Sequence, residues 1–271
     1  MDMLENQPAK RHTPLLESDR WFVSPIVPDS HRMNLFAPPR CFDPKYPELI
    51  DRPGIGQAML REELQILESA NKRFGGHRLV LHYVQRLAVS KQITSLSVVD
   101  LGTGLADVPR AIVNWARTRQ LPVAVSAVDG NPDVLRLAQE SCRDWPEIHL
   151  EQHDMRALPY AANSFDLVLC SLALHHFGAT DAAAILRRIQ EVARLGYIVN
   201  DLRRNWLAIW MTELLSLTVI RSRILRHDAP QSCRAAFTVH ELRTMAQHAE
   251  MKKFQIHRHH GMYRMVLEGR K

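Results

Sequence analysis

The sequence predicts an α/β fold built on a doubly wound, mostly parallel sheet. Short β-branched or apolar runs occupy residues near 96–100, 123–129, 148–153, 166–171 and 196–201, and helical patterns lie between them. Acidic residues stand at or just past several of these run ends: Asp100, Asp129, Asp154 and Asp201. Alternation of this kind argues for parallel strands joined by helices that wind onto both faces. Two further runs near the C-terminus, Lys253–Arg258 and Tyr263–Glu268 around Gly261, bring the expected sheet to seven strands.

Length and composition suit this reading. A chain of 271 residues with 46% hydrophobic content holds one α/β domain with additions. The four cysteines, Cys41, Cys142, Cys170 and Cys233, are scattered and form no Cys-x-x-Cys pair. They are expected to be reduced thiols of a cytoplasmic protein, with neither a disulfide frame nor a zinc site. The first residues lack a basic stretch followed by an apolar core, so no signal peptide is expected. A net charge of +6 permits an anionic substrate, nucleic acid or a membrane surface without choosing among them.

Residues 1–54 are expected to form an irregular arm, since residues 1–53 hold nine of the fifteen prolines. Trp21, Phe22, Val23, Ile26, Val27, Leu35, Phe36 and Phe42 make it too apolar for a free tail. The arm is read either as packing or as a wall of a substrate pocket. Residues 55–92 form a helical cover. Met59, Leu60, Leu64, Leu67 and Ala70 recur at helical spacing, Gly75-Gly76 breaks the helix, and a second follows through Leu79, Val80, Tyr83, Val84 and Leu87. Residues 93–271 hold the sheet, interrupted by an insertion over 203–234.

Within that region, a helix is expected from Asp181 as cap to Leu195, stopped by Gly196. Thr238-Val-His-Glu241 is a capping box for a late helix. The stretch from Asn205 to Arg226 reads as one inserted apolar helix serving as lid or dimer surface. Glu213 in its middle and Arg221 and Arg223 at its end make it too short and too charged to span a bilayer, which needs about 20 apolar residues. Glu213 has no evident partner; Asp228 in Arg226-His227-Asp228 is a further candidate base from the lid, with a solvated turn as the commoner reading of such a triplet.

The most informative stretch is Val98-Val-Asp100-Leu-Gly102-Thr103-Gly104-Leu-Ala106-Asp107, where a strand runs through two glycines into a helix. Glycines there let the backbone approach a ligand closely, and the helix N-terminus offers free N–H groups. Asp129 follows 25 residues after Gly104, about where a doubly wound fold places an acid against a ribose diol. Gly130 and Asn131 continue that turn, and Pro132 opens the next helix. Asp154-Met155 closes the third run, and Ser171 closes the fourth before Leu172-Ala-Leu-His175-His176-Phe177.

Taken in order, Asp100-Leu-Gly-Thr-Gly104, Ala127-Val-Asp129, Asp154-Met155 and Ser164-Phe-Asp-Leu-Val-Leu-Cys-Ser-Leu-Ala-Leu-His-His176 resemble the motifs of class I S-adenosylmethionine-dependent methyltransferases. The likeness is nearest to the quinone-biosynthesis and small-molecule types and spans roughly residues 95–201. One departure is Ala106, where the family has its third glycine. The resemblance implies a Rossmann-like sheet with an antiparallel last strand and S-adenosylmethionine as cofactor, with S-adenosylhomocysteine as product. It also implies roles for single residues. Gly102, Thr103 and Gly104 would meet the amino-acid end, and Asp100 its ammonium. Asp129, with Gly130 and Asn131, would hold the ribose. Asp154 and Met155 would meet the adenine, and Ser171 would line the site.

Candidate bases are His175, His176 and Asp201, which lie where open α/β sheets place ligands. A neutral histidine oriented by a carboxylate can take a phenol proton. For each of these acids and histidines the plain alternative is a helix cap or a packed side chain. No metal is expected, and His257-Arg-His259-His260 is read as non-ligating. Cys170 sits among apolar neighbours and reads as a core residue.

The expected reaction is O-methylation of a small lipophilic aromatic acceptor, a phenolic or enolic polyketide or quinone precursor. C-methylation of an activated ring, cofactor binding without methyl transfer, and RNA methylation remain as alternatives. Nucleic acid is disfavoured because the fourth strand is followed by Cys-Ser-Leu-Ala-Leu-His-His and not by an Asn/Asp-Pro-Pro-aromatic motif. Peripheral membrane contact and a homodimer are left open.

Overall fold

The computed structural model describes residues 37–271 except 53, 219 and 221. Trp21 to Phe36, expected to pack as part of the arm, and Arg221 lie outside the described residues. Two helices lead, α1 (Gln57–Arg73) and α2 (Gly76–Lys91). Gly75 between them takes φ 82°, a left-handed conformation that costs glycine little. The sheet follows as β1 (Leu96–Leu101), β2 (Val123–Asp129), β3 (Ile148–Gln152), β4 (Phe165–Ser171), β5 (Ala193–Leu202), β6 (Phe254–His259) and β7 (Arg264–Arg270). The helices between them are α3 (Asp107–Arg117), α4 (Pro132–Ser141), α5 (Ala179–Val192), α6 (Trp206–Thr218), α7 (Arg223–Ala235) and α8 (Val239–His248).

The strand order is β3-β2-β1-β4-β5-β7-β6. All pairs from β3 to β5 are parallel, while β7 runs antiparallel to both β5 and β6. Successive side chains alternate between two cores. Val98 and Leu167 face α2 and α3 with Ile112, whereas Val99 and Val168 face α5 and α8 with Ile185, Ile189 and Leu242. Strand order reverses between β1 and β4, the position at whose strand C-termini open α/β sheets bind ligands. The four cysteines are free.

The capping box is present: Thr238 accepts from the Glu241 N–H at 3.2 Å, and Glu241 accepts from the Thr238 N–H at 2.7 Å. Two expectations are corrected. The helix expected over 181–195 is α5, which starts at Ala179 with Asp181 inside its first turn and ends at Val192. Gly196 does not stop a helix; it lies inside β5, where a Cβ would sit 2.8 Å from the Gly269 carbonyl oxygen and 3.2 Å from Leu87. The glycine is there for close packing against the antiparallel neighbour.

The insertion expected as a single helix over 205–226 is two helices. The second, α7, begins at the N-cap Ser222, whose hydroxyl accepts from the Leu225 N–H at 3.2 Å. Glu213 does have a partner, the Arg234 guanidinium on α7. Asp228 is not in a solvated turn but is buried on α7, accepting from the N–H groups of Leu49 and Ile50 at 2.9 and 3.0 Å. These pairings lie outside the local pattern, so periodicity could not show them. Among the described residues, no helix is long and apolar enough to cross a membrane.

Candidate active site

The turn between β1 and α3 is stitched to the end of β2. The N–H groups of Gly102 and Thr103 both donate to the Val128 carbonyl at 2.9 Å. The Gly104 N–H donates to Asp129 Oδ2 at 3.1 Å, and the Asn131 N–H to Asp129 Oδ1 at 3.0 Å. Gly102 and Gly104 have φ values of 72° and 55°. A Cβ on Gly102 would lie 2.6 Å from Ala173 Cβ, whereas one on Gly104 would meet nothing within 4 Å. The first glycine is thus required by packing, and the second faces open space.

Asp100 is buried beneath this turn. Thr103 Oγ1 donates to its Oδ2 at 2.8 Å, and its Oδ1 has no partner. Burial pushes its pKa up to about 7, with Asp107 and Asp129 adding repulsion against the Thr103 hydrogen bond. An orphaned, buried carboxylate oxygen beneath a glycine turn is a fitting partner for an ammonium group. Burial also raises the Asp129 carboxyl, more than its two backbone hydrogen bonds lower it.

The rest of the expected cofactor set divides. Met155 is buried, with its Sδ 3.7 Å from where a Gly102 Cβ would stand, so it lies beside the turn. Asn131 uses its side chain to cap α4 through the Asp133 N–H at 2.9 Å. Gly130 follows β2 with the His153 carbonyl 3.8 Å from its Cβ position. Asp154 is drawn elsewhere: both of its oxygens bind the Arg156 guanidinium, at 2.6–3.0 Å. Ser171 Oγ accepts from Asn200 Nδ2 at 2.8 Å, and Asn200 Oδ1 is buried without a partner.

The three candidate bases meet at the ends of β4 and β5. His175 and His176 lie on a single 3-10 turn, Leu174–His176, with ring centroids 4.3 Å apart. His175 Nδ1 lies 2.6 Å from Asp201 Oδ1, and the His175 backbone N–H donates to Asp201 Oδ2 at 2.9 Å. Burial alone would raise the Asp201 carboxyl; the His175 ring and the Leu202 N–H more than offset that and hold it below its usual range.

His176 instead pairs with Asp51, Nδ1 to Oδ2 at 2.8 Å. Burial opposes its charge, but the Asp51 hydrogen bond and the nearby Glu48 and Asp201 raise its pKa to about 9. His176 is therefore protonated at neutral pH, whereas the His175 ring is paired with the buried Asp201.

Three residues of this site were not singled out in the sequence. Glu48 caps and Asp51 ends the short 3-10 turn Leu49–Asp51, which the Asp228 carboxylate holds from α7. Glu48 Oε1 lies 3.8 Å from His175 Nε2 and accepts from Ser232 Oγ at 2.6 Å. Arg40 pins the histidine turn from outside by donating to the carbonyls of His175 and Phe177 at 3.0 and 2.8 Å. The only trace in the sequence was a pair of acids between Pro47 and Pro53. Among the described residues, Glu48, His175 and His176 form the group with one ligand atom each within 4.8 Å of one another, a spacing a divalent cation can use.

Residues 98–196 match a family model described as a methyltransferase domain. Similar solved structures include a SAM-dependent methyltransferase from Aquifex aeolicus (12% identity, TM-score 0.53, covering 77% of this chain and 96% of that one). Magnesium protoporphyrin IX methyltransferase from Synechocystis, solved with bound S-adenosylhomocysteine, is 16% identical (TM-score 0.52, 72% of this chain and 83% of that one). Human N-acetylserotonin methyltransferase, solved with S-adenosylmethionine, is also 16% identical (TM-score 0.56, 80% of this chain and 56% of that one). No curated protein matches the chain by sequence.

Proposed function

We propose that this chain, whose core is a class I S-adenosylmethionine-dependent methyltransferase domain, methylates the oxygen of a small lipophilic phenol or enol, with His175 as the proton acceptor. The observation that carries this reading is the buried His175–Asp201 pair at 2.6 Å, placed at the C-terminal ends of β4 and β5.

The residues present fit the cofactor. The free Oδ1 of Asp100 suits an ammonium, and the open space over Gly104 admits a close backbone approach. Asp129, fixed by two backbone N–H groups, keeps lone pairs for a diol, and Met155 offers a sulfur face. Asp154 would have to give up Arg156 to meet an adenine amino group, so Met155 is the better supported of that pair. When bound, S-adenosylmethionine supplies an electrophilic methyl group.

The chain itself supplies position and a base. Asp201 takes the Nδ1–H of His175, which fixes the tautomer with the lone pair on Nε2. That nitrogen accepts the acceptor's O–H proton, leaving an oxyanion as nucleophile. Asp201 stabilises the resulting imidazolium, as a buried carboxylate does for a catalytic histidine elsewhere. The charged His176 beside it adds a positive field for the developing oxyanion.

The test is a screen of phenolic and enolic acceptors for S-adenosylhomocysteine release and O-methyl product, run with wild type and His175→Ala. Binding of S-adenosylmethionine with no product from any acceptor would sink the methyl-transfer reading. Product in the presence of a strong chelator keeps the acid–base role, whereas loss with the chelator would assign Glu48, His175 and His176 to a cation instead.

A further inference from the structure

Helix α6 is apolar on nearly every side, yet it is not buried. Its sequence, Trp-Leu-Ala-Ile-Trp-Met-Thr-Glu-Leu-Leu-Ser-Leu-Thr, has one charged residue, Glu213, which the Arg234 guanidinium neutralises. At 100° per residue, Trp206, Leu207, Trp210, Met211, Leu214 and Leu217 fall on about one half of the helix circumference. That half faces outward: Trp210 is 71% exposed, Leu214 61% and Leu217 76%. Ala208, Ile209 and Ser216 face inward and are buried. The contacts to Glu48 and the Leu49–Asp51 turn come from the polar helix α7, through Ser232 and Asp228. A continuous exposed stripe of this size marks an interaction surface.

Charge at its two ends identifies the partner. Beside the N-terminus of α6 stand Arg203, Arg258 and His260, with Tyr263 Oη 3.1 Å from Met211 Sδ. Beyond its C-terminus Arg223 and Arg226 are exposed. Antiparallel or parallel pairing with a second copy would bring basic ends against basic ends, which costs energy. An anionic surface meets both ends favourably. Thirteen residues span only about 20 Å, too short to cross a bilayer but suited to lie in its interface, where tryptophan is favoured.

We propose that the outward face of α6 seats in the surface of an anionic phospholipid bilayer, with the flanking arginines on the headgroups. This goes beyond the proposed reaction and does not depend on it. The protein would then work at the place where a lipophilic acceptor dissolves.

The experiment is co-sedimentation of the full chain with phosphatidylcholine vesicles, with and without phosphatidylglycerol, read alongside tryptophan emission. Wild type should pellet with the anionic vesicles, shift its emission to the blue, and release in high salt. Trp210→Glu with Leu214→Glu should abolish pelleting, while Arg223→Glu with Arg226→Glu should weaken it roughly five-fold or more per arginine. Unchanged calorimetric binding of S-adenosylmethionine shows that each variant is folded, and activity is not needed for the readout. Absence of pelleting by folded wild type would overturn the proposal. So would a stable dimer in sedimentation velocity that the Trp210→Glu and Leu214→Glu variant converts to a monomer while vesicles are ignored.

Discussion

His175 is tied to Asp201 twice, through Nδ1 to Oδ1 at 2.6 Å and through its backbone N–H to Oδ2 at 2.9 Å. The carboxylate therefore sets both the ring's tautomer and the position of the turn that carries it. Its neighbour His176 is tied to a different acid, Asp51, and is kept charged. Two adjacent histidines are thereby tied to two different carboxylates.

The first prediction concerns the base. His175→Ala should lower kcat by about 10²–10⁴ while the affinity for S-adenosylmethionine stays close to wild type. Asp201→Asn should also lower kcat, because the ring loses the carboxylate that orients it. Steady-state kinetics with parallel calorimetry checks both. Equal losses of kcat and cofactor affinity would mean that the pair is structural.

The two glycines should separate stability from binding. Gly102→Ala forces a left-handed residue to carry a Cβ against Ala173, so it should cost about 2 kcal/mol or more and weaken cofactor binding as well. Gly104→Ala meets open space and should cost only the backbone strain, about 1 kcal/mol, yet bind the cofactor much more weakly. Chemical denaturation and calorimetry on the two variants give the comparison.

Asp100 should make cofactor binding release a proton. With its pKa raised to about 7 by burial, the free protein holds this carboxyl largely protonated below that pH, and an incoming ammonium favours the ionised form. Affinity should rise with pH up to about 7 and level off above it. Without ligand, a raised carboxyl favours the folded state below its unfolded pKa, and that contribution is lost as pH rises through about 7. Calorimetry in buffers of different ionisation enthalpy should show proton uptake by buffer for wild type and none for Asp100→Asn.

The Asp51–His176 pair should act in the opposite range. His176 has its pKa raised from 6.5 to about 9, so its contribution to stability is full below 6.5 and disappears as pH climbs through about 9. Asp51 is held below its usual range against the effect of burial, so its contribution fails on acidification. Asp51 is nearly half exposed, which keeps the effect small. His176→Gln should lower the melting temperature by about 2 °C at neutral pH and remove the alkaline part of the decline. A wild-type melting curve that does not change across that alkaline range would refute it.

Asp228 holds the Leu49–Asp51 turn by two backbone hydrogen bonds from a buried position. Asp228→Ala leaves those N–H groups without partners and should cost about 1–3 kcal/mol. By releasing Glu48 and Asp51, it should also lower turnover. If proteolysis and hydrogen exchange at residues 45–52 do not change, the anchoring role is wrong.

The sequence determined what is local. Alternating strand and helix patterns, the glycine turn, the acid at the end of β2 and the capping box at Thr238 each arise from neighbours within a few residues. They identified the sheet and the turn that joins β1 to α3. Tertiary structure decided the rest. It gave each of the two histidines a different carboxylate, one from β5 and one from a segment more than a hundred residues away. It placed Glu48 over His175, gave Glu213 the Arg234 partner, drew Asp154 towards Arg156, and split the insertion into a helix that faces outward and one that builds the site. Propensity and periodicity report the backbone's nearest neighbours, whereas charge pairing depends on which distant segments the fold brings within a few ångströms.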